Sequence, residues 1–314
     1  MGMMPAFATE DANDVTATDT IDVGNLTAAL ERIIGDGLDV LATTGSFGEF
    51  HTLLPDEYET LVRATIEVVD DRVPLFLGCT GLNTRDVIAK MRLIAEAGGR
   101  GVLLGVPFYF PSTVDNAVQF YADVAKAFPD LAIMVYHNPP LHHVTIPVAA
   151  FERLTKIPNI VAMKDSHRTT TEFMRLDAII GGKVSVFVSQ LQYHPFAQLG
   201  ARGLWSFDLW MGPAPIFALR DAVAAGDFAL ATEITRDIAA GPPRSADPAS
   251  LSWRETAAKI AANFAGYCTP GPLRPPFSVI PELVMTLAPQ RAKYWQDLCA
   301  KYPLVAASLA GQTA

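Results

Sequence analysis

The chain has 314 residues, half of them hydrophobic and 18% charged, and a formal net charge of −9. That length and apolar fraction suit one large α/β barrel with an appendage, while the acidic balance and the lack of any Lys/Arg cluster exclude a surface for the phosphate backbone of nucleic acid. No apolar run approaches the roughly 18 residues of a membrane span, and the N-terminus has no basic segment ahead of an apolar core, so a soluble cytoplasmic protein without membrane or nucleic-acid partners is expected.

Met4 to Ala8 reads as a first short strand in an otherwise small and polar N-terminal stretch. Asn25 to Ile34 reads as a helix stopped by Gly35 and Gly37, and Leu38 to Ala42 as the strand after it. Pro55 and Asp56 introduce a helix with Tyr58, Leu61, Val62, Ile66 and Val69 on one face, followed by a strand at Val73 to Leu77. Thr84 is the expected cap of the next helix, Gly98 and Gly99 its stop, and Gly101 to Leu104 the strand beyond. The alternation continues through a helix from about Asn116 to Ala127 and strands at Leu131 to Tyr136 and Ile160 to Met163, with a helix near Val148 to Thr155 between them. It then runs through a helix near Thr171 to Ile180, a strand at Val184 to Val188, a helix near Tyr193 to Gly200 and a strand at Gly203 to Phe207. Eight such βα repeats predict a closed (β/α)8 TIM barrel over residues 1–211, with its active site at the C-terminal ends of the strands. Helical stretches at about 215–240, 251–266 and 279–300 predict a C-terminal helical bundle over 212–314. Cys79, Cys268 and Cys299 are odd in number, far apart and without paired histidines, so neither a disulfide framework nor a metal site is expected.

The residues just past each strand collect around one pocket, and Lys164 is the anomaly among them. It ends an apolar run, Ile160-Val161-Ala162-Met163, that suits a strand buried on both faces. An ammonium poorly solvated at an apolar barrel mouth should release its proton more easily, and the neutral amine attacks ketones; a lysine snorkelling from a solvated strand end is the plain alternative. After the second strand, Thr43-Thr44-Gly45-Ser46-Phe47-Gly48-Glu49 combines hydroxyls with two glycines that let backbone N–H groups turn toward a small carboxylate. The fifth strand ends in Tyr136-His137-Asn138-Pro139-Pro140. There a phenol can relay protons and an amide can orient water or an oxyanion.

Ser46-Phe47-Gly48-Glu49 inside its glycine turn, Tyr136 opening Tyr-His-Asn-Pro, and Lys164 closing Val-Ala-Met-Lys resemble, in order and spacing, the class I pyruvate aldolases typified by dihydrodipicolinate synthase and N-acetylneuraminate lyase. The resemblance spans residues 4 to about 300. Within that superfamily the Thr43 to Glu49 turn, the Tyr-His-Asn-Pro segment, Trp205, Ala265-Gly266-Tyr267 and Gly271 to Pro276 look like the hydratase-aldolases that act on substituted benzylidenepyruvates, trans-o-hydroxybenzylidenepyruvate and trans-2'-carboxybenzalpyruvate among them. Where the synthase has an arginine that grips its second substrate this chain has Pro140-Leu141-His142, and Trp205 replaces an aliphatic residue, offering a flat wall for an aryl ring.

The resemblance implies Lys164, Tyr136 and Asn138 as catalytic residues and Ser46, Phe47, Gly48, Trp205 and Asn263 as substrate-binding ones, Asn263 being the polar side chain in Ile260 to Gly266. It implies a covalent imine on Lys164 and no metal or other cofactor, with pyruvate and an aromatic aldehyde or arylidene pyruvate as the small molecules handled. A homotetramer is the family habit, with Phe108-Tyr109-Phe110 as the expected apolar subunit contact; Tyr109 also matches a tyrosine that the synthase borrows from its neighbour. His142 and His143 could meet an ortho-carboxylate or an ortho-hydroxyl alike. Two alternatives stand beside the hydratase-aldolase: a dihydrodipicolinate synthase-like or sugar-acid pyruvate aldolase, and a non-catalytic binding protein on the same fold.

Overall fold

The computed structural model describes residues 1–243 and 251–304. Eight parallel strands follow one another around a single sheet in chain order, β1 (Gly2–Met3), β2 (Leu41–Ala42), β3 (Leu75–Gly78), β4 (Gly101–Leu104), β5 (Ala132–His137), β6 (Ile160–Asp165), β7 (Ser185–Ser189) and β8 (Gly203–Trp205). The last strand returns to the first: Met3 N–H donates to the carbonyl of Ser206 at 2.8 Å, and Ser206 N–H donates to the carbonyl of Met1 at 3.1 Å. The fold is therefore the expected (β/α)8 barrel. Its strands are short apolar runs because both faces are covered, as in β4, where all four residues are buried.

The helices are α1 (Val23–Gly35), α2 (Pro55–Val69), α3 (Thr84–Glu96), α4 (Val114–Ala127), α5 (Pro139–His142), α6 (Phe151–Leu154), α7 (Thr170–Ile180), α8 (Tyr193–Ala197), α9 (Ala214–Ala224), α10 (Phe228–Ala239), α11 (Leu251–Ala265) and α12 (Glu282–Lys301). Among the described residues none is long and apolar enough to cross a membrane.

Several boundaries differ from the sequence reading, each for a local reason. Asn83, not Thr84, caps α3: its side chain accepts from both Arg85 N and Asp86 N at 3.0 Å. The first strand lies earlier than Met4 to Ala8, since Ala8 instead bridges antiparallel to Ile21. The stretch at 215–240 is two helices, parted where Gly226 turns with φ 72° and Asp227 caps α10 by accepting from Leu230 N. Between β5 and β6 the chain forms the short α5 and then a 3-10 turn at Val148–Ala150 ahead of α6.

By contacts the chain divides into two compact units, Met1–Ala6 with Val40–Ser206, and Phe7–Asp39 with Phe207–Ala314. The first holds all eight strands. The second groups α1 with α9 to α12, so Phe7–Asp39 clusters with the C-terminal helices and not with the barrel segment to which residue order assigned it; residues 244–250 and 305–314 of the expected bundle lie outside the described residues. Inside this second unit α11 packs along α12 and α9 against α10. The buried guanidinium of Arg274 ties the chain ends together by donating to the carbonyls of Phe7 and Thr20.

Candidate active site

β5 and β6 set Tyr136 beside Lys164 and His137 beside Asp165, one pair after the other along the register. Side chains alternate across a strand, so the first pair shares one face of the sheet and the second the other. Lys164 is 4% exposed and Tyr136 3%. The Lys164 Nζ lies 4.2 Å from the centre of the Tyr136 ring and 4.1 Å from that of Trp205 on β8. Two aromatic faces thus flank the amine, in contacts that suit a cation. Trp205 is itself fixed, because its indole N–H donates to the carbonyl of Asp165 at 2.8 Å.

The Tyr136 hydroxyl is the centre of a second small network. Ser46 Oγ is 2.6 Å from it, and Asn138 Nδ2 donates to it at 3.2 Å. With the amide donating, the phenol oxygen accepts from Asn138, and across the contact with Ser46 either hydroxyl can be the donor. Ser46 is thereby brought to the phenol itself, a contact that the carboxylate-binding role expected of its turn does not announce. Asn138 is 4% exposed and Phe47 likewise 4%.

The turn that carries Ser46 is built from close backbone approaches. Thr44 takes a left-handed φ of 43° and its hydroxyl donates to the carbonyl of Gly78 at 2.9 Å. A Cβ on Gly48 would stand 2.6 Å from Met4 O and 2.8 Å from Thr44 N, so only glycine fits there. Among the described residues the N–H groups of Gly45 and Ser46 have no protein acceptor, which leaves them to an anion as a backbone nest would.

His142, at the end of α5, packs edge-on to the Tyr136 ring with centroids 4.9 Å apart. Gly105 makes room for it, since a Cβ there would be 2.4 Å from the imidazole. Burial above all, with His137 and Lys164 adding to it, pushes the His142 imidazole down to about 3. His143 takes a left-handed φ of 53° at the C-cap. Asn263 belongs to the second unit, and its amide is engaged with Gly271, donating to the carbonyl at 2.9 Å and accepting from the N–H at 3.0 Å.

His137 and Asp165 were not singled out from the sequence. His137 Nδ1 is 3.0 Å from Asp165 Oδ1, and both side chains are 2% exposed. Each directly follows a residue of the Tyr136–Lys164 pair, but their contact depends on the register of β5 and β6.

Strand order and the buried lysine at the end of β6 define a (β/α)8 barrel with an amine at its centre. Residues 12–240 match the dihydrodipicolinate synthetase family, and the chain belongs to that family. It is 32% identical to trans-o-hydroxybenzylidenepyruvate hydratase-aldolase of Pseudomonas aeruginosa, covering 96% of this chain and 92% of the relative. It is 30% identical to trans-2'-carboxybenzalpyruvate hydratase-aldolase of a Nocardioides species, over 96% of this chain and 94% of the relative. Among solved structures, PhdJ bound to a substrate intermediate superposes with a TM-score of 0.90 at 29% identity, covering 96% of both chains.

Proposed function

We propose that this protein is a Schiff-base hydratase-aldolase that adds water to a substituted benzylidenepyruvate and cleaves the product to an aromatic aldehyde and pyruvate. The observation that carries the reading is the Lys164 amine held between the Tyr136 and Trp205 rings, with the Tyr136 hydroxyl in contact with Ser46 and Asn138. It supports a nucleophile, a proton relay and an aryl wall in one place. The family, and the hydratase-aldolase names of its relatives, agree with it.

The neutral amine of Lys164 attacks the C2 ketone while the substrate carboxylate sits in the turn of Ser46, Phe47 and Gly48. Water leaves and a protonated imine remains. The imine draws electrons through the conjugated double bond, so the benzylic carbon accepts a water oriented by Asn138 and Tyr136, and the enamine carbon is then protonated. Tyr136 next takes the proton of the new hydroxyl; the carbon–carbon bond breaks toward the iminium and the aldehyde departs. Protonation of the enamine and hydrolysis release pyruvate and Lys164. The imine itself is the electron sink, so the reading invokes no metal or resident cofactor. Trp205 lies against the departing aryl group, and the protein works as a homotetramer in the cytoplasm.

Reduction with borohydride in the presence of pyruvate tests the reading directly. A three-carbon adduct should map to Lys164, and Lys164→Arg should abolish both it and turnover, because a guanidinium stays protonated. In the condensation direction an ortho-substituted benzaldehyde should react on the order of 10²-fold faster in kcat/KM than aspartate semialdehyde. Equal rates would return the chain to the general pyruvate aldolases, and an adduct on Lys156 or Lys183 would remove Lys164 from its role.

A further inference from the structure

The ladder that sets Tyr136 opposite Lys164 begins after an irregularity in the pairing. Between β5 and β6 the pairing runs Ile133 to Ile160 and then Met134 to Ala162, skipping a residue before it settles. A strand pair with such an irregularity can slip, and a one-residue slip turns every side chain beyond it to the other face. His137 and Asp165, paired one step beyond Tyr136 and Lys164, add a side-chain contact to that register.

Their contact belongs to a closed circuit. Ile146 N–H donates to His137 Nε2 at 3.1 Å, and a nitrogen that accepts carries no hydrogen. The ring proton of a neutral imidazole is therefore on Nδ1, donated to Asp165 Oδ1 at 3.0 Å. Arg168 donates from Nη2 to the carbonyl of Ile146 at 2.9 Å, and its Nε lies 3.6 Å from Asp165 Oδ2. The backbone of Ile146 is gripped from both sides, and Ile146 ends the segment that follows Asn138 and α5. Asp165 also reaches β8, through the Trp205 N–H on its carbonyl. One residue thus touches the mounts of the phenol, the amine and the indole.

By donor type His137, Asp165 and His167 could hold a cation, with one ligand atom each within 4.8 Å of the others. The hydrogen bonds speak against it. Both His137 nitrogens are engaged, and the free carboxylate oxygen faces the Arg168 guanidinium. Burial presses the Asp165 carboxyl upward, but the hydrogen bonds from His137 and His167 and the Arg168 charge outweigh it and hold it well below the usual carboxylate range.

We infer that Asp165, acting through His137, is a positioning residue that fixes the Tyr136 hydroxyl against the Lys164 amine; this rests on the reading of those two as the reacting pair. Four variants of the full chain test it: Asp165→Ala, His137→Asn, His137→Gln, and Asp165→Ala with His137→Gln. Asparagine keeps a donor near the place of Nδ1, whereas glutamine keeps an acceptor near Nε2 and loses the donor to Asp165. Per folded molecule, Asp165→Ala and His137→Gln should each lower kcat by roughly 10-fold or more, the order expected when a reacting group is misplaced. KM should stay within about threefold, His137→Asn should recover most of the rate, and the double variant should be no slower than either single one, as for residues that act as a unit. A kcat within twofold of wild type in Asp165→Ala, equal losses in the asparagine and glutamine variants, or losses that multiply in the double variant would overturn the inference. Pyruvate trapping on the wild type separates the two failures. If Lys164 is trapped and Asp165→Ala keeps its kcat, the positioning role alone falls; if Lys164 is never trapped, the reading beneath it falls and takes the positioning role with it.

Discussion

Ser46 is where two chemical roles compete for one residue. Under the proposed function its turn offers backbone N–H groups to a carboxylate, yet its hydroxyl is 2.6 Å from that of Tyr136. If the hydroxyl serves the phenol, Ser46→Ala should lower kcat and leave the KM for pyruvate nearly unchanged, because the backbone donors survive the substitution. Tyr136→Phe should be the more severe, lowering kcat by roughly 10²-fold, the usual loss for a positioned acid–base group. A rise in KM at unchanged kcat in either variant would assign it to binding instead. His142 carries a prediction of another kind. Its imidazole sits near 3 in the fold, chiefly through burial, against 6.5 for the exposed group. Between those values the unfolded chain binds the extra proton, so the fold loses stability as pH falls from about 6.5 toward 3. His142→Asn removes that proton uptake, and the acid unfolding midpoint followed by circular dichroism should move to lower pH; an unmoved midpoint would refute it. Lys164 and Tyr136 stood out in the sequence because each closes an apolar strand, whereas Trp205, mid-way along the strand read at Gly203 to Phe207, was singled out by the resemblance. The Asp165–His137 pair was not, since a carboxylate and an imidazole 28 positions apart reveal their contact only once the register of β5 and β6 is known.

At the scale of elements, hydrophobic periodicity located what is long and amphipathic, and cap chemistry decided the ends. α2 begins at Pro55 as read and ends at Val69, because proline at the first turn and a left-handed residue after the last leave little freedom. α3 shows how a neighbouring polar residue can take the cap instead. Asn83 and Thr84 are both good caps by type, and the choice depends on backbone angles: Asn83 has φ −155° and ψ 165°, the extended geometry a cap requires, while Thr84 is already helical. Asn83→Ala should therefore cost about 1 kcal/mol and Thr84→Ala under about 0.5 kcal/mol in urea unfolding; the reverse order would restore Thr84 as the cap. The short elements were harder to see. β1 and β2 are each two residues long, and α5 is four, too few for any period to register.

For the whole molecule, the alternation of strand and helix made the barrel readable, and residue order misled only where contacts depart from it. The apolar face of α1 gives no sign in sequence that Phe7–Asp39 groups with Phe207–Ala314; that requires tertiary contacts such as the Arg32 guanidinium over the Tyr267 ring, 4.1 Å from its centre.

The proposed assembly has a candidate contact on the surface of the barrel unit. Past β4 the Tyr109 and Phe110 rings meet edge to face, 5.0 Å apart, on the barrel unit. They are 73% and 76% exposed, with Leu82 nearby at 57%. With Pro107, Pro111 and Phe120 they line an open cleft of about 720 Å³. Two large aromatic side chains left in water beside a cleft that Thr84, Ser112, Asn116, Gln119 and Asp123 also line form an exposed patch of the sort that marks a protein contact, and a full aromatic burial is worth roughly 1.5–3 kcal/mol per side chain. A patch on one protomer meeting its own copy about a twofold axis would double that contribution. Light scattering at micromolar concentration should find an oligomer, the tetramer being expected. Tyr109→Ser with Phe110→Ser should shift it to a smaller species while its melting transition stays cooperative. A wild-type monomer, or a double variant that assembles as the wild type does, would take the subunit contact away from this loop.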